Sequence, residues 1–326
     1  MSATAPIAAS APPTRRVRSV WSRLKSGDEA TYLITLACAF TVIAVTALLV
    51  FELFRNSSEA RHQFGWSFLG GQVWDPVALK LGALPFIYGT VVTSFLALLI
   101  GIPLGVGAAI FLAELAPPGI SSALTFLIEL LAAVPSVIFG LLGIFVLVPI
   151  LRSAEPFIRN VLGWTPLFQG PFYGYSMFTA GVVLAIMIIP FISAVTRDVF
   201  ETVPDVLKES AYGLGATTWE VIWQVVVPYA RTGMIGGIML GLGRALGETM
   251  AVTFVIGNAH RIGSSLLAPG TTISASIANE FAEAVGDLYT SSLVALGALL
   301  FLITFSVIAA AQAMLRRLER RALSSV

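Results

Sequence analysis

Six long apolar runs, separated by shorter polar stretches, dominate the pattern of the chain. A helix needs about 20 mostly apolar residues to cross the hydrocarbon core of a bilayer. The runs meet this requirement and predict six transmembrane helices, at residues 31–54, 85–112, 122–151, 176–196, 230–257 and 290–314. The second and third runs are longer than necessary, so they either tilt or contain a break near Pro103 or Pro135. The pattern therefore predicts an all-α, polytopic membrane protein.

Composition supports a chain solvated mainly by lipid. Of its 326 residues 57% are hydrophobic and 11% are charged, whereas soluble domains carry about 25% charged residues. The net charge of +1 gives no case for nucleic-acid binding, which needs a basic surface. Cys38 is the single cysteine, so no intrachain disulfide or thiolate cluster can form. His62 and His260 lie far apart and are interpreted as ordinary loop residues, so we expect no metal site.

The distribution of lysine and arginine predicts the orientation. If the N-terminus lies inside, the inner segments carry twelve of these residues and the outer loops carry six. Positively charged residues accumulate on the cytoplasmic side of membrane proteins. We therefore expect both termini in the cytoplasm. The remaining arginine, Arg244, falls inside the fifth run.

This orientation divides the chain into five regions. They are a disordered, basic cytoplasmic tail at 1–30, a retained first anchor at 31–54, an outer loop at 55–84, a membrane core at 85–315 and a basic cytoplasmic tail at 316–326. Two further outer loops, 152–175 and 258–289, are long enough to contact a partner. The aromatic residues of the outer loops also fit an interfacial belt.

The chain lacks the motif that binds the phosphates of ATP. A P-loop needs a Gly-Lys-Ser/Thr sequence, and no Gly-Lys pair occurs anywhere in these residues. We therefore expect a protein that is not an enzyme and carries no cofactor. If ATP supplies energy to it, then ATP and magnesium bind to a partner chain.

The inner loop 197–229 predicts two short helices. Pro204 and the aspartate after it suit the first turn of a helix, and Gly215 can end it. Thr217 or its neighbour can cap a second helix, and Pro228 closes the segment before the fifth run. One interpretation of this loop is an amphipathic linker at the membrane surface.

A more specific interpretation comes from the spacing within this loop. Glu209-Ser210-Ala211 is followed after three residues by Gly215, and after nine more by three valines and Pro228. This arrangement resembles the EAA loop of ABC importer permeases, which reads Glu-Ala-Ala, three residues, Gly, nine residues and Ile-x-Leu-Pro. Serine replaces one alanine here, and valines replace Ile and Leu. The resemblance implies a coupling helix that docks on an ATPase subunit, with the coupling residues Glu209, Ser210, Ala211, Gly215 and Pro228.

The fifth run carries a charged pair near its middle. Arg244 and Glu248 are four residues apart, so a continuous helix would place them one turn apart on one face. A charge at that depth costs at least about 2.5–3.5 kcal/mol, so it normally faces a bundle interior or a water-filled path. One interpretation is a structural ion pair. The other is that Arg244, held by Glu248, offers a bidentate contact to an oxyanion crossing the membrane.

Small residues and a second acid complete the candidate positions. Gly233, Gly237 and Gly241 recur at four-residue spacing and predict close helix packing, including packing against a second permease subunit. Glu129 in the third run is interpreted as an acid near the inner surface that snorkels or pairs, and Pro135 as a kink. Neither residue is assigned a transport role.

Two segments extend the resemblance to a particular family. Residues 244–252, together with Ile256-Gly257-Asn258, are similar to the signature of PstC-type permeases of the phosphate-specific transport system. Residues 129–140 are similar to the matching segment of that family, and the resemblance covers residues 30–316. It implies a type I ABC importer permease of the bacterial inner membrane, with the loop 55–84 in the periplasm. The implied partners are a PstA-type sister permease, two ATP-binding subunits, a periplasmic phosphate-binding protein, phosphate and membrane lipid.

Three other functions are weighed against this one. An ion-coupled secondary transporter could use the buried charged pair, but the sequence shows no inverted repeat and the EAA-like loop would have no role. A membrane sensor or scaffold is disfavoured because there is no sizeable soluble domain. A permease for sulfate or molybdate is a closer rival, since an arginine alone does not separate these oxyanions from phosphate.

Overall fold

The computed structural model describes residues 29–323, with side chains described for 31–316. The predicted tails 1–30 and 316–326 lie almost entirely outside the described side chains, and both termini lie outside the described residues. The chain forms two units, residues 1–52 and 53–326, and each is considered by itself.

The described part of the first unit is a single apolar helix, α1, which spans Glu29–Asn56 and ends in the second unit. Its side chains from 31 to 51 are exposed throughout. Three threonines in it, Thr35, Thr41 and Thr46, donate their hydroxyls to the backbone carbonyl four residues earlier. With these polar groups satisfied, the helix suits a surrounding of lipid.

The second unit contains a short outer segment followed by long helices. The outer segment comprises α2 (Ser58–Phe64), α3 (Ser67–Gly70) and an antiparallel hairpin of β1 (Trp74–Asp75) and β2 (Lys80–Leu81). Then follow α4 (Leu84–Ile110), a π-helical segment (Phe111–Leu115), α5 (Pro118–Ala133), α6 (Ser136–Leu142), a second π-helical segment (Gly143–Leu147) and α7 (Val148–Leu162).

The remaining elements continue this helical pattern. They are a 3-10 turn (Pro166–Phe168), α8 (Met177–Glu201), α9 (Asp205–Gly213), α10 (Thr218–Val221), a third π-helical segment (Ile222–Val226), α11 (Val227–Gly247), α12 (Met250–Val255), α13 (Ile273–Glu280) and α14 (Asp287–Leu323).

Six helical stretches within the described residues are long and apolar enough to cross a membrane. They are Thr31–Asn56, Leu84–Leu115, Ser136–Leu162, Met177–Glu201, Thr218–Gly247 and Asp287–Arg316. Their number and the all-α class confirm the prediction from the hydrophobic pattern, and the two-residue strands are the exception among the described residues.

Helix α8 forms the centre of the second unit, where it packs against both α4 and α11. Ile192 of α8 is fully buried and shows why the neighbours can approach so closely. A Cβ added to Gly105 of α4 would lie 2.9 Å from Ile192 Cγ2, and one added to Gly241 of α11 would lie 2.9 Å from Ile192 Cγ1. Glycines on two helices therefore make room for one branched side chain between them.

The third predicted span, 122–151, contains the break near Pro135 that its length allowed. The chain leaves helical geometry at Val134 (ψ 129°) and Pro135 (ψ 140°), because a proline disfavours helical geometry in the residue before it. The helix before this break, α5, is a shorter apolar helix, and the stretch long enough to cross begins at Ser136. Pro103, in contrast, lies inside α4 without interrupting it.

A partly buried carboxylate holds the outer hairpin against the helices. Glu280 Oε2 accepts hydrogen bonds from Trp74 Nε1 (2.8 Å) and from the hydroxyl of Tyr289 (2.5 Å). Its other oxygen lies 3.0 Å from His260 Nε2, so this histidine, which lies in a loop as predicted, has a specific partner. Burial raises the pKa of Glu280, but the three hydrogen bonds outweigh it and hold the pKa below the ordinary value of 4.5.

We expect Glu280→Gln to lower the free energy of unfolding by about 1–3 kcal/mol at neutral pH. Because the pKa of Glu280 is lower in the folded state, its contribution is present above the unfolded pKa and is lost as the pH falls through the folded pKa. In thermal unfolding of detergent-purified protein, the difference in unfolding temperature between wild type and variant should therefore become smaller below about pH 4. Glu283→Gln, at an exposed neighbouring acid, is the control. A difference in unfolding temperature that is as large below about pH 4 as at neutral pH would contradict this explanation.

Candidate functional site

The inner loop folds as the two short helices that its sequence predicts. Pro204 caps α9, and the chain turns at Gly215, whose φ of +90° lies in the left-handed region that favours glycine. Thr217 then caps α10 in a capping box with Glu220. Thr217 N donates to Glu220 Oε2 (2.8 Å), and Glu220 N donates to Thr217 Oγ1 (3.4 Å).

Pro228 does not close this segment, contrary to the prediction. It lies in the first turn of α11, which follows α10 without a gap through the π-helical segment Ile222–Val226. A proline ring normally clashes with the carbonyl four residues earlier. The wider π-helical turn directly before it leaves room for the ring, so the helix runs on.

Helix α9 turns only a narrow face towards the rest of the unit. Lys208 and Ala211, three residues apart, are its partly buried residues, and its other residues are exposed. Ser210 donates its hydroxyl to the carbonyl of Val206 within the helix (2.6 Å). Glu209 is exposed, so the predicted coupling residues include one acid that another chain can reach.

Large apolar side chains are exposed on α9, on the turn after it, on α10 and on the π-helical segment that follows α10. The extremes are Leu214, which is 91% exposed, and Val206, which is 69% exposed. The others are Leu207, Tyr212, Trp219 and Trp223. Exposed apolar surface of this kind marks a site of contact with another protein or with membrane.

The base of the loop is fixed by an apolar cluster at the ends of three helices. Its buried members are Ala109, Ile110, Phe200, Val203, Val221, Ile222, Val226 and Ala230. They belong to α4, to α8 with the residues after it, and to the α10–α11 stretch, and Ala211 and Ala216 pack against them. The cluster therefore joins the loop to the helices that form the centre of the unit.

A second connection between the loop and the helices is an ion pair that spacing in the sequence could not indicate. Lys208 Nζ lies 2.6 Å from Glu114 Oε1, and the two residues are 94 positions apart. Both side chains are largely buried, with 16% and 8% exposure. An intrahelical pair has a spacing of three or four residues, but a pair formed by tertiary packing has none.

Arg244 lies in the last turn of α11, and no ion pair or hydrogen bond to its guanidinium is found within the described part of the chain. The guanidinium carbon lies 4.4 Å from the ring centre of Phe191 in α8, a cation–π contact. Its Nε is buried without a hydrogen-bond partner. The side chain is thus held by an aromatic face while its donors stay available.

Glu248 does not extend the helix, so the predicted one-turn pairing with Arg244 is wrong. Glu248 has an extended ψ of 129°, and Oε1 of its side chain accepts a hydrogen bond from Ala251 N (3.3 Å) at the start of α12. Its carbonyl accepts from Ser274 Oγ (2.7 Å). Glu248 therefore satisfies backbone groups on the two sides of a helix break, and the described residues supply no carboxylate to Arg244.

Part of the predicted outer loop 258–289 lies opposite this break and is buried. Within 258–289, residues 271–276 are all buried, and they include the start of α13. Thr271 and Ser276 share a hydrogen bond (2.8 Å), and Ile273 N donates to Thr90 of α4 (3.0 Å). Hydroxyl groups therefore line the region behind the break. The small residues between 270 and 280 are the signal that the prediction overlooked.

The predicted glycine stripe faces α8. A Cβ added to Gly233 would lie 2.5 Å from Val199 Cγ2, and one added to Gly237 would lie 3.2 Å from Val195 Cβ. The next glycine of the stripe, Gly241, faces Ile192 as described above. Within this chain, the stripe thus brings α11 close to α8.

Glu129 and Pro135, the two candidate residues of the third run, lie in different parts of the structure. Glu129 of α5 lines an open cleft of about 480 Å³ beside the inner end of α8. In that cleft Arg197 lies 2.7 Å from Asp198 and 3.5 Å from Glu201. Pro135 caps α6. Among the described residues, no group of three or more His, Cys, Asp or Glu could hold a metal ion.

Comparison with known proteins places this architecture in one family. Residues 101–322 match the family model described as binding-protein-dependent transport system inner membrane component. Among solved structures, a bacterial ABC transporter involved in alginate import has a TM-score of 0.59 at 18% identity. The match covers 91% of this chain and 98% of that chain, which supports the shared fold.

Proteins with similar sequences are named phosphate transport system permease protein PstC or PstC 2. The relative from Mesorhizobium japonicum is 56% identical over 299 residues, which is 90% of this chain and 91% of that protein. The relative from Pasteurella multocida is 51% identical over 288 residues, with 87% and 90% coverage. A PstC 2 protein from Mycobacterium tuberculosis is 41% identical over 279 residues, with 83% and 86% coverage.

Proposed function

Because the chain belongs to the family of binding-protein-dependent transport system inner membrane components, and within it to the PstC-type permeases, we propose that it carries inorganic phosphate into the cell as part of an ATP-driven importer. It is a multi-pass protein of the bacterial inner membrane and a transport subunit, not an enzyme by itself. The observation that carries the substrate class is the guanidinium of Arg244, which has no ion pair in the described part of the chain and lies beside a helix break.

Arg244 suits a tetrahedral oxyanion for two physical reasons. A guanidinium offers parallel N–H donors that bind two oxygens of an anion together. A cation inside a membrane span is costly unless it faces a polar path or gains a partner, and the described residues supply no carboxylate to it. A passing phosphate would supply the missing negative charge. Phe191 would keep the guanidinium in place between substrates.

The proposed partners bind at the cytoplasmic end of the fold, beside it in the membrane and at its periplasmic end. Two ATP-binding subunits hold the ATP and magnesium, and one of them docks on α9 and the exposed apolar side chains near it, with this chain holding no cofactor. A PstA-type sister permease completes the path across the membrane, and a periplasmic phosphate-binding protein delivers the substrate. Since Arg244 contacts any tetrahedral oxyanion equally well, discrimination against sulfate resides mainly in that binding protein.

Alternating access connects the docking surface on α9 with the substrate path past Arg244. ATP binding brings the ATPase subunits together and moves α9, and the movement opens the path past Arg244 on one side of the membrane at a time. Glu248 Oε1 accepts a hydrogen bond from Ala251 N at the start of α12, so the backbone at the helix break stays satisfied during this movement.

Glu209→Lys tests the docking surface. A reversed charge at the exposed acid of α9 should repel a basic partner surface and reduce co-purification of the ATPase by at least about tenfold, or 1.4 kcal/mol. Membrane insertion should be unchanged, because the residue is exposed. Glu59→Lys makes the same charge change at an exposed outer position and should leave co-purification intact. Full recovery of the ATPase with Glu209→Lys would count against docking at α9.

Arg244→Gln tests the substrate path. Removing the charge should lower ATP-dependent phosphate uptake into vesicles by about 10- to 100-fold, since a hydrogen bond to a charged group contributes about 1.5–3 kcal/mol. The amount of assembled complex should not change. Arg231→Gln, at an exposed arginine of the same helix, is the matched control. Uptake at the wild-type rate in the Arg244 variant would leave that arginine with a structural role only.

A further inference from the structure

The ion pair between Lys208 and Glu114 joins the loop helix α9 to the inner end of α4. Its 2.6 Å separation and the low exposure of both side chains distinguish it from an ordinary surface pair. Removing two charges from water is costly, and only close, well-directed contact compensates for it. Losing one member would leave the other as an unpaired, largely buried charge.

Few other contacts tie α9 to the unit. Ala211 is its other partly buried residue, and it contributes a single methyl group to the apolar cluster. The remaining residues of α9 are exposed. An apolar contact of that size can slide, whereas an ion pair fixes both distance and direction. Lys208 is therefore the directional attachment of α9.

Glu114 occupies a segment that is itself unusual. It lies in the π-helical segment Phe111–Leu115, and such segments often occur at functional positions. The carbonyl of Leu112 in this segment accepts a hydrogen bond from Ser121 Oγ of α5 (2.8 Å). Just before it, Ile110 packs in the same cluster as Val226 of the third π-helical segment, which leads into α11. A displacement of Glu114 is therefore transmitted to α4, to α5 and to α11, the helix that carries Arg244.

We propose that Lys208 and Glu114 are positioning residues that transmit the movement of α9 to α4, and through it to the substrate path. When a docked partner displaces α9, the ion pair carries the inner end of α4 with it. Without the pair, α9 moves while α4 stays behind. This inference rests on the proposed function, because it takes α9 to be the element that the ATPase moves.

The test is the number of phosphates transported per ATP hydrolysed by the complete complex in vesicles. Glu114→Gln and Lys208→Gln should each lower this ratio by about five- to tenfold while ATP hydrolysis continues. Asp198→Asn removes one charge from an exposed pair on the same side of the protein and should not change the ratio. A purely structural role would instead reduce the amount of complex and leave its ratio at the wild-type value, which would overturn the proposal.

Exchange of the two charges separates this role from a general folding effect. The double variant Glu114→Lys with Lys208→Glu restores an ion pair with reversed direction, so it should recover much of the lost ratio. A double variant no better than either single variant would show that the attraction between the two side chains is not what matters.

A second measurement does not depend on the transported substrate. Spin labels on Val206→Cys in α9 and on the exposed Leu104→Cys in α4, with Cys38→Ser, report the distance between the loop helix and α4. On addition of a non-hydrolysable ATP analogue, the distribution of distances between the two labels should stay narrow in the wild-type complex. The same distribution should be broader in the Glu114→Gln complex. If the wild-type complex fails to import phosphate but shows this difference, the proposed function is wrong and the ion pair still couples α9 to α4. Equal distributions in both proteins would refute the coupling itself.

Discussion

Satisfaction of backbone hydrogen bonds inside the membrane is the constraint on which the rest of this structure depends. Lipid offers no hydrogen bonds, so a chain can leave helical geometry at that depth only where protein or water satisfies the exposed groups. Between α11 and α12 this is done by Glu248, which accepts from Ala251 N and receives Ser274 Oγ at its carbonyl. The break is therefore a built feature that requires a buried, hydroxyl-rich segment behind it.

The break has an electrostatic consequence. An acid that caps α12 cannot also neutralise Arg244 in the way that an i,i+4 pair would. The arginine is left with an aromatic contact and a buried Nε without a partner in the described residues. A membrane protein that needed only a stable bundle would gain from pairing this charge. Its availability is intelligible if a transported anion is the missing partner, as family membership among the PstC-type permeases suggests.

Periodic and locally spaced features could be predicted from the sequence, and tertiary ones could not. The number of spans follows from run length, and the two loop helices follow from Pro204, Gly215 and Thr217. Capping and left-handed turns are local, so their signals lie in neighbouring residues. Glu248 was misjudged because a four-residue spacing assumes an unbroken helix. The Lys208–Glu114 pair and the His260–Glu280 pair depend on packing between distant segments, which no local pattern encodes.

This chain is expected to pass phosphate across the membrane at the expense of ATP hydrolysed by a partner. The most direct measurement is uptake of labelled phosphate into vesicles that contain the wild-type chain, a PstA-type permease, the ATPase and the phosphate-binding protein, with sulfate as competitor. Uptake should require ATP, persist when ion gradients are collapsed and be unaffected by excess sulfate. Uptake driven by an ion gradient without ATP, or abolished by sulfate, would contradict it.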